Sequence, residues 1–138
     1  MISEEAMSTV VERFLRDRGF DVLPQVPLKT RRIDLVCVSP ERPQITAIEL
    51  KVKDWKSAFQ QAMRYRLCAD AVYIALWHDH VHRVPGTLLG EHGVGLMKVD
   101  SSVEVVQLAG SNHSIQPSLR MSIESYLAKN RLYVGIRK

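Results

Sequence analysis

A run of seven apolar residues, AVYIALW at positions 71–77, limits the possible folds of this chain most strongly. The run is too short to cross a bilayer, and polar residues bound it on both sides. It is therefore typical of a β-strand that is buried on both faces of its sheet. Such a strand needs a further layer of structure on each side, so the sequence predicts a layered α/β domain.

The segments around this strand supply the other elements. Apolar residues at helical spacing and alternating β-branched residues predict the order helix, three strands, helix, strand, with a mixed sheet. Pro24 and Pro27 interrupt the first strand, which places it at a sheet edge or a bulge. We predict helices over residues 3–19, 54–69 and 117–130, a turn or short helix over 85–92, and strands over 20–28, 32–39, 44–53, 71–77, 94–99 and 103–108.

The composition is that of one ordinary globular domain. The chain has 138 residues, of which 46% are hydrophobic and 25% are charged. We find no internal repeat or linker, and we predict a single domain over residues 1–138, with a core at about 3–77 and a C-terminal extension at about 85–138. The acidic, polar start does not resemble a signal peptide, and Cys37 and Cys68 lie in apolar segments without paired spacing. These features predict buried, reduced thiols and a cytoplasmic location.

The positive charge is concentrated in one part of the chain. The net charge is +4, but residues 29–66 contain nine basic and four acidic residues, which gives this segment a net charge of +5. Such a concentration favours a surface that faces a polyanion. A solvated basic surface without a partner is the alternative.

The strand predicted at residues 44–53 carries two charged residues on one face. Side chains alternate along a strand, so Glu49 and Lys51 point to the side opposite Ile48 and Leu50. If both faces of the sheet are covered, this carboxylate and this ammonium are partly buried, which is costly unless they are paired or used. The alternative is an edge strand with a solvated Glu/Lys face.

A second acid interrupts the preceding strand. Asp34 lies between Ile33 and Leu35, and a hairpin around the predicted turn at 40–43 brings it next to Glu49. Two carboxylates at short distance repel each other unless a cation lies between them. Ligands that are all oxygen atoms favour Mg²⁺ or Mn²⁺ over zinc.

The pattern of Asp34, fourteen residues and then Glu49-Leu50-Lys51 resembles the PD-(D/E)xK nuclease superfamily, with Ile33 in place of the proline. The predicted αβββαβ order over residues 5–77 is similar to the core of that superfamily. Gln61 and Tyr65 resemble its Gln-x-x-x-Tyr motif, and Glu12 stands on the first helix, where many members carry an extra acid. The resemblance implies a restriction-endonuclease-like fold, a three-layer core in which helices flank a mixed β-sheet.

The resemblance also implies a role for each of these residues. Asp34 and Glu49, with the backbone carbonyl of Leu50, would bind Mg²⁺ or Mn²⁺, and Lys51 would orient or deprotonate the attacking water. Glu12 would assist as a further catalytic acid. Gln61 and Tyr65 would contact the substrate or support the metal ligands. The backbone phosphates of the substrate would be bound by the nearby cations Arg31, Arg32, Lys53, Lys56 and Arg64.

These implications predict a metal-dependent DNA nuclease, a hydrolase of phosphodiester bonds. A chain of this length leaves little room for a separate specificity domain, so we expect DNA to be selected by its structure or its ends, as branched DNA or free ends. A homodimer or a larger nuclease complex is expected by analogy. Two alternatives remain: an inactive nucleic-acid-binding or assembly module that retains the fold, and a metal-free interaction domain with fortuitous spacing.

One further pattern follows the buried strand. In an extended conformation His78, His80 and His82 would lie on one side, where three imidazoles could bind zinc. Such sites need a closed ligand set with supporting hydrogen bonds, so we favour a polar exit from the strand.

Overall fold

The computed structural model describes residues 2–134, which form a six-stranded mixed sheet with helices on both faces. The strands follow one another across the sheet in chain order, from β1 at one edge to β6 at the other. The predicted α/β fold with a three-layer core and a mixed sheet is confirmed. The strands are β1 (Asp21–Leu28), β2 (Arg31–Val38), β3 (Ile45–Lys51), β4 (Ala71–Trp77), β5 (Val94–Val99) and β6 (Val103–Gln107).

Four α-helices form the outer layers. Their bounds are α1 (Glu4–Asp17), α2 (Trp55–Tyr65), α3 (Gly86–Glu91) and α4 (Pro117–Lys129). Apolar residues of α1 pack on one face of the sheet, and those of the other three helices pack on the opposite face. The side chains of Ser3 and Asp54 cap α1 and α2 by accepting backbone N–H groups, as expected for these residue types.

The strand pairing agrees with the sequence predictions. β1 is an edge strand, and β2 and β3 form an antiparallel hairpin in which Leu35 pairs with Ile48 and Val38 pairs with Ile45. Strands β3, β4 and β5 are parallel to one another and form the centre of the predicted mixed sheet. Strand β4 is thus a central strand with covered faces, in line with its continuous apolar sequence.

Strands β1 and β2 exchange faces in the middle of their ladder. Val22 and Leu35 pack in the layer of α1, whereas Val26 and Ile33, further along the same pair of strands, pack in the opposite layer. The exchange occurs where Gln25 faces Asp34: this pair is missing from the ladder, and Gln25 has a φ of 55°. Asp34 therefore lies at a break in the regular sheet.

One sequence prediction differs from the structure, and the extended arrangement that zinc binding by the histidines required is excluded. Helix α2 ends at Tyr65, earlier than the predicted Ala69, and the chain then tightens, with the backbone N–H groups of Leu67 and Cys68 donating to carbonyls three residues back. The C-terminal segment satisfies the carbonyls left free: the Asn112 side chain donates to Ala69 at 2.6 Å, and the backbone N–H of Gln116 donates to Leu67 at 2.8 Å. The segment His78–Arg83 is a 3₁₀ helix, so its histidines do not line one side of an extended strand.

An ion pair between α4 and the start of β4 fastens the C-terminal segment to the sheet. Arg120 contacts the carboxylate of Asp70 at 2.9 Å, and Asp70 accepts the backbone N–H of Ile45 at 2.7 Å. The Arg120 side chain is 15% exposed and that of Asp70 is 29% exposed. Arg120 also contacts Glu124, which is 45% exposed. The Asp70 contact is therefore the better shielded of the two.

We expect Arg120→Ala to lower the free energy of unfolding by about 2 kcal/mol, because it leaves the half-buried carboxylate of Asp70 without its cation. Glu124→Ala is the matched control and should change stability by less than about 0.5 kcal/mol, since its ion pair is exposed. Urea denaturation measures both values. Equal losses in the two variants would contradict the structural role assigned to Asp70 and Arg120.

Candidate active site

Glu49 is the one buried charged residue among residues 2–134, with an exposed fraction of 5%. It lies on the face of β3 that α2 covers, and the hydroxyl of Tyr65 in α2 donates a hydrogen bond to its Oε1 atom. Lys51 follows two residues later on the same strand and is half-buried. The predicted burial of this face of β3 is confirmed, and the alternative of an edge strand with a solvated face is wrong for Glu49.

Asp34 reaches the same place from β2. Its carboxylate accepts the backbone N–H of Leu50 at 2.9 Å, and its carboxyl group is within hydrogen-bonding reach of Glu49. The predicted hairpin register is confirmed, but the β2–β3 ladder ends at the Leu35–Ile48 pair, one position before Asp34 and Glu49. The strands separate there, and a side chain takes the N–H group that would otherwise lack a partner.

The surroundings favour a protonated Glu49. Burial raises its pKa to about 8, and the adjacent Asp34 carboxylate acts in the same direction. The Tyr65 hydrogen bond and the charge of Lys51 oppose this rise without cancelling it. Burial and the neighbouring Glu49 also raise the pKa of Tyr65 far above its ordinary value, so Tyr65 stays a hydrogen-bond donor. The two carboxyl groups thus share a region that favours one bound proton or one cation.

The oxygen donors of this pair fit Mg²⁺ or Mn²⁺. Among residues 2–134 no group of three or more His, Cys, Asp or Glu side chains could hold a metal ion. Mg²⁺ is commonly bound by one or two carboxylates, with water and substrate phosphate as its other ligands. Asp34 and Glu49 each keep one oxygen that accepts no hydrogen bond from an N–H or O–H group of these residues. The predicted metal ligands are therefore close together, and metal binding itself stays a prediction.

A cleft of about 370 Å³ opens beside Asp34 on the side of α1. Glu4, Glu5 and Ser8 of α1 line this cleft. Glu12, the acid predicted for this role, does not: it contacts Ser8 at 3.3 Å and forms an ion pair with Arg16 at 3.6 Å. Positions 4, 8 and 12 share one face of the helix, so the spacing could have identified the earlier acid. The catalytic role of Glu12 stays a prediction.

The predicted substrate-binding residues fall into two groups. Arg31, Gln61, Arg64 and Tyr65 line one pocket of about 340 Å³ on the side of α2 and α4. The others lie outside the lining of this pocket: Arg32 donates to the carbonyl of Gln25 at 3.0 Å, and Lys53 and Lys56 are exposed between β3 and the first turn of α2. The structure thus brings together four of the seven predicted residues.

Residues 2–133 match the sequence model of a family described as MmcB-like, DNA repair protein MmcB-like. The match spans nearly the whole chain. This chain belongs to the MmcB-like family. The Asp34–Glu49 pair, Lys51 and the pocket beside Tyr65 all lie within the part of the chain that is matched.

A solved structure has a fold similar to that of this chain. A protein of unknown function from Silicibacter pomeroyi has a TM-score of 0.70 and 22% sequence identity, over 95% of this chain and 87% of that protein. At this identity the likeness shows the fold alone. No match was found among curated proteins. None of the helices in residues 2–134 combines the length and apolar character needed to cross a membrane.

Proposed function

We propose that this chain is a metal-dependent DNA nuclease of the PD-(D/E)xK type, acting in DNA repair. The proposal depends above all on the meeting of Asp34 and Glu49 from adjacent strands, with Lys51 two residues further along β3. Paired carboxylates beside an amine, on a sheet covered on both faces, are costly to stability and are typical of a site that is used. The family description supplies the DNA-related context.

Each residue has a distinct task in this proposal. Asp34, Glu49 and the carbonyl of Leu50 would hold Mg²⁺ or Mn²⁺, which when bound polarises a phosphodiester and lowers the pKa of water. Lys51 would orient the attacking water and balance the negative charge that develops on the phosphate. Tyr65 holds Glu49 in place by its hydrogen bond. It would act as a positioning residue.

DNA binding would depend on the basic residues near this site. Arg31 and Arg64 lie on the pocket beside Tyr65, and Arg32, Lys53 and Lys56 are exposed, so all five can reach backbone phosphates. Contacts to phosphate carry no sequence information, which favours selection of DNA by its structure or its ends. We propose branched DNA or free ends as the substrate, with Gln61 as a further contact and a homodimer or a larger nuclease complex as the working assembly.

A specific observation favours a second candidate function. Among residues 2–134, two acids meet at this site, Asp34 and Glu49. Glu12 of α1 does not join them, because it contacts Ser8 and Arg16. A nucleic-acid-binding or assembly module that retains the fold without cleavage would have such a reduced site. Intact Asp34, Glu49 and Lys51 favour the enzyme over this alternative.

The test is to incubate the full chain with branched, linear and single-stranded DNA, in Mg²⁺ or in EDTA, and to separate the products on gels. We expect cleavage in Mg²⁺ and none in EDTA, with a preference for branched DNA or for ends. Binding without cleavage in both conditions would support the module instead. The absence of both binding and cleavage would contradict both functions.

A further inference from the structure

The pocket beside Tyr65 carries three cations and no acid. Lys29, Arg31 and Arg64 line it, and no Asp or Glu of the described chain does. None of the three cations forms a salt bridge with a described carboxylate. Three cations without counter-charges around one concave surface favour an anionic ligand.

The rest of the lining is largely apolar. Leu28 of β1, Leu67 after α2 and Leu119 of α4 form part of it, next to Tyr65. Pockets for small ligands range from about 300 to 1,000 Å³, so a volume of about 340 Å³ suits a small ligand and not a duplex. The lining thus fits a molecule that has an anionic group for the three cations and a weakly hydrated ring that packs against the leucines.

One of the cations stands in an unusual backbone conformation. Lys29 has a φ of 57° in the two-residue turn between β1 and β2, a region that favours glycine or asparagine. Backbone strain of this kind clusters at functional sites. A lysine in this conformation at the pocket is consistent with a use for its charge there.

We propose that this pocket binds one unstacked nucleotide of a DNA strand, with the phosphate among the three cations and the base against the leucines. This inference rests on the proposed nuclease function and deepens it. Tyr65 lines the pocket and donates to Glu49, so a bound nucleotide lies next to the carboxylate pair. The nucleotide comes either from a strand end with a terminal phosphate or from a duplex by extrusion of one base.

Fluorescence anisotropy with the full chain in EDTA distinguishes these sources. The probes are a single strand with a 5′-phosphate, the same strand with a 5′-hydroxyl, and closed dumbbell duplexes with and without one mismatch. A preference for the 5′-phosphate identifies a strand end, and a preference for the mismatch identifies an extruded nucleotide. Equal affinity for all four DNAs, or no binding, would overturn the inference.

Two variants assign the preference to the pocket. Arg64→Ala is expected to weaken binding of the preferred DNA about tenfold, because it removes a charged donor to phosphate. Arg42→Ala, in the exposed turn at the other end of β2, removes the same charge and should weaken all four DNAs slightly and equally. If Arg64→Ala weakened binding no more than Arg42→Ala, the pocket would not be the binding site.

Lys29→Gly tests the pocket with no risk of added backbone strain. It is expected to weaken the preferred DNA about fivefold while thermal stability stays the same or rises, because glycine adopts a positive φ freely. Unchanged affinity would overturn the role of Lys29. Because these measurements use EDTA, pocket binding without Mg²⁺-dependent cleavage would contradict the nuclease alone, and cleavage without a pocket effect would contradict the nucleotide site alone.

Discussion

Lys51→Ala is expected to lower the rate of Mg²⁺-dependent DNA cleavage by about 10²–10³-fold, the range typical of the loss of one group that stabilises developing negative charge. Lys51 lies on the covered face of β3 beside Glu49, and its positive charge acts to lower the pKa of that carboxyl group. Its removal takes away the amine that orients water and balances charge on the phosphate. Single-turnover cleavage assays measure the effect, and Lys129→Ala, an exposed lysine on α4, is the matched control.

The same variant should still bind the metal, because an ammonium is not a ligand. Calorimetry with Mn²⁺ is expected to show near wild-type affinity for Lys51→Ala and no detectable binding for Asp34→Asn, which loses one of two carboxylate ligands. Asp34→Asn should also be inactive in cleavage. Unchanged Mn²⁺ affinity in Asp34→Asn would remove Asp34 from the metal site, and full activity in Lys51→Ala would remove Lys51 from the chemistry.

The second large effect concerns the pH dependence of stability. The pKa of Glu49 is raised from its ordinary value of 4.5 to about 8 in the folded chain, with burial as the main cause. Between these values the folded chain keeps a proton that the unfolded chain releases. The stability that this proton provides is therefore complete below pH 4.5 and is lost as the pH rises through 8, by about 5 kcal/mol in total.

Glu49→Gln is expected to remove this loss. The introduced amide side chain would resemble the protonated acid, since its oxygen accepts from Tyr65 and its NH₂ group can donate to Asp34. Urea denaturation in EDTA should show similar stability for the two proteins near pH 4 and a more stable variant near pH 8.5. Glu41→Gln, in an exposed turn, is the control and should follow the wild type at both values.

Addition of a divalent metal should restore the stability that the wild type loses at high pH. At pH 8.5 a divalent cation should replace the proton between the carboxylates and stabilise the wild type, by about 2.7 kcal/mol at a concentration one hundred times the dissociation constant. Glu49→Gln should gain little, since it lacks one of the ligands. Equal stabilisation of both proteins by Mn²⁺ would contradict a site that includes Glu49.

The sequence was sufficient for features that follow from local periodicity. The apolar run of β4 predicted a sheet covered on both faces, and the alternation in β3 predicted that Glu49 and Lys51 share one of these faces. The turn at residues 40–43 predicted the register that brings Asp34 towards Glu49, and four pairs of the β2–β3 ladder confirm that register. Each of these predictions depends on residues that are near one another along the chain.

Other features depend on residues that are distant in sequence or on backbone conformations without a residue signature. Pro24 and Pro27 predicted an edge strand or a bulge, but Gln25 adopts a positive φ although it is neither glycine nor asparagine, so the position of the break opposite Asp34 could not be predicted. The carbonyls of Leu67 and Ala69, just after α2, accept from Gln116 and Asn112, about fifty residues later. The contribution of Leu119 to the pocket has the same origin, since only the folded chain brings α4 over the end of the β1–β2 hairpin.

The exchange of faces between β1 and β2 separates two approaches to one pair of carboxylates. On the side of α1, Asp34 borders a cleft with Glu4 and Glu5, whose negative charge attracts cations and repels phosphate. On the opposite side, Tyr65, which donates a hydrogen bond to Glu49, borders a basic pocket that does the reverse. A metal ion and a DNA strand would then arrive from opposite layers of the molecule, so that neither has to displace the other on its way in.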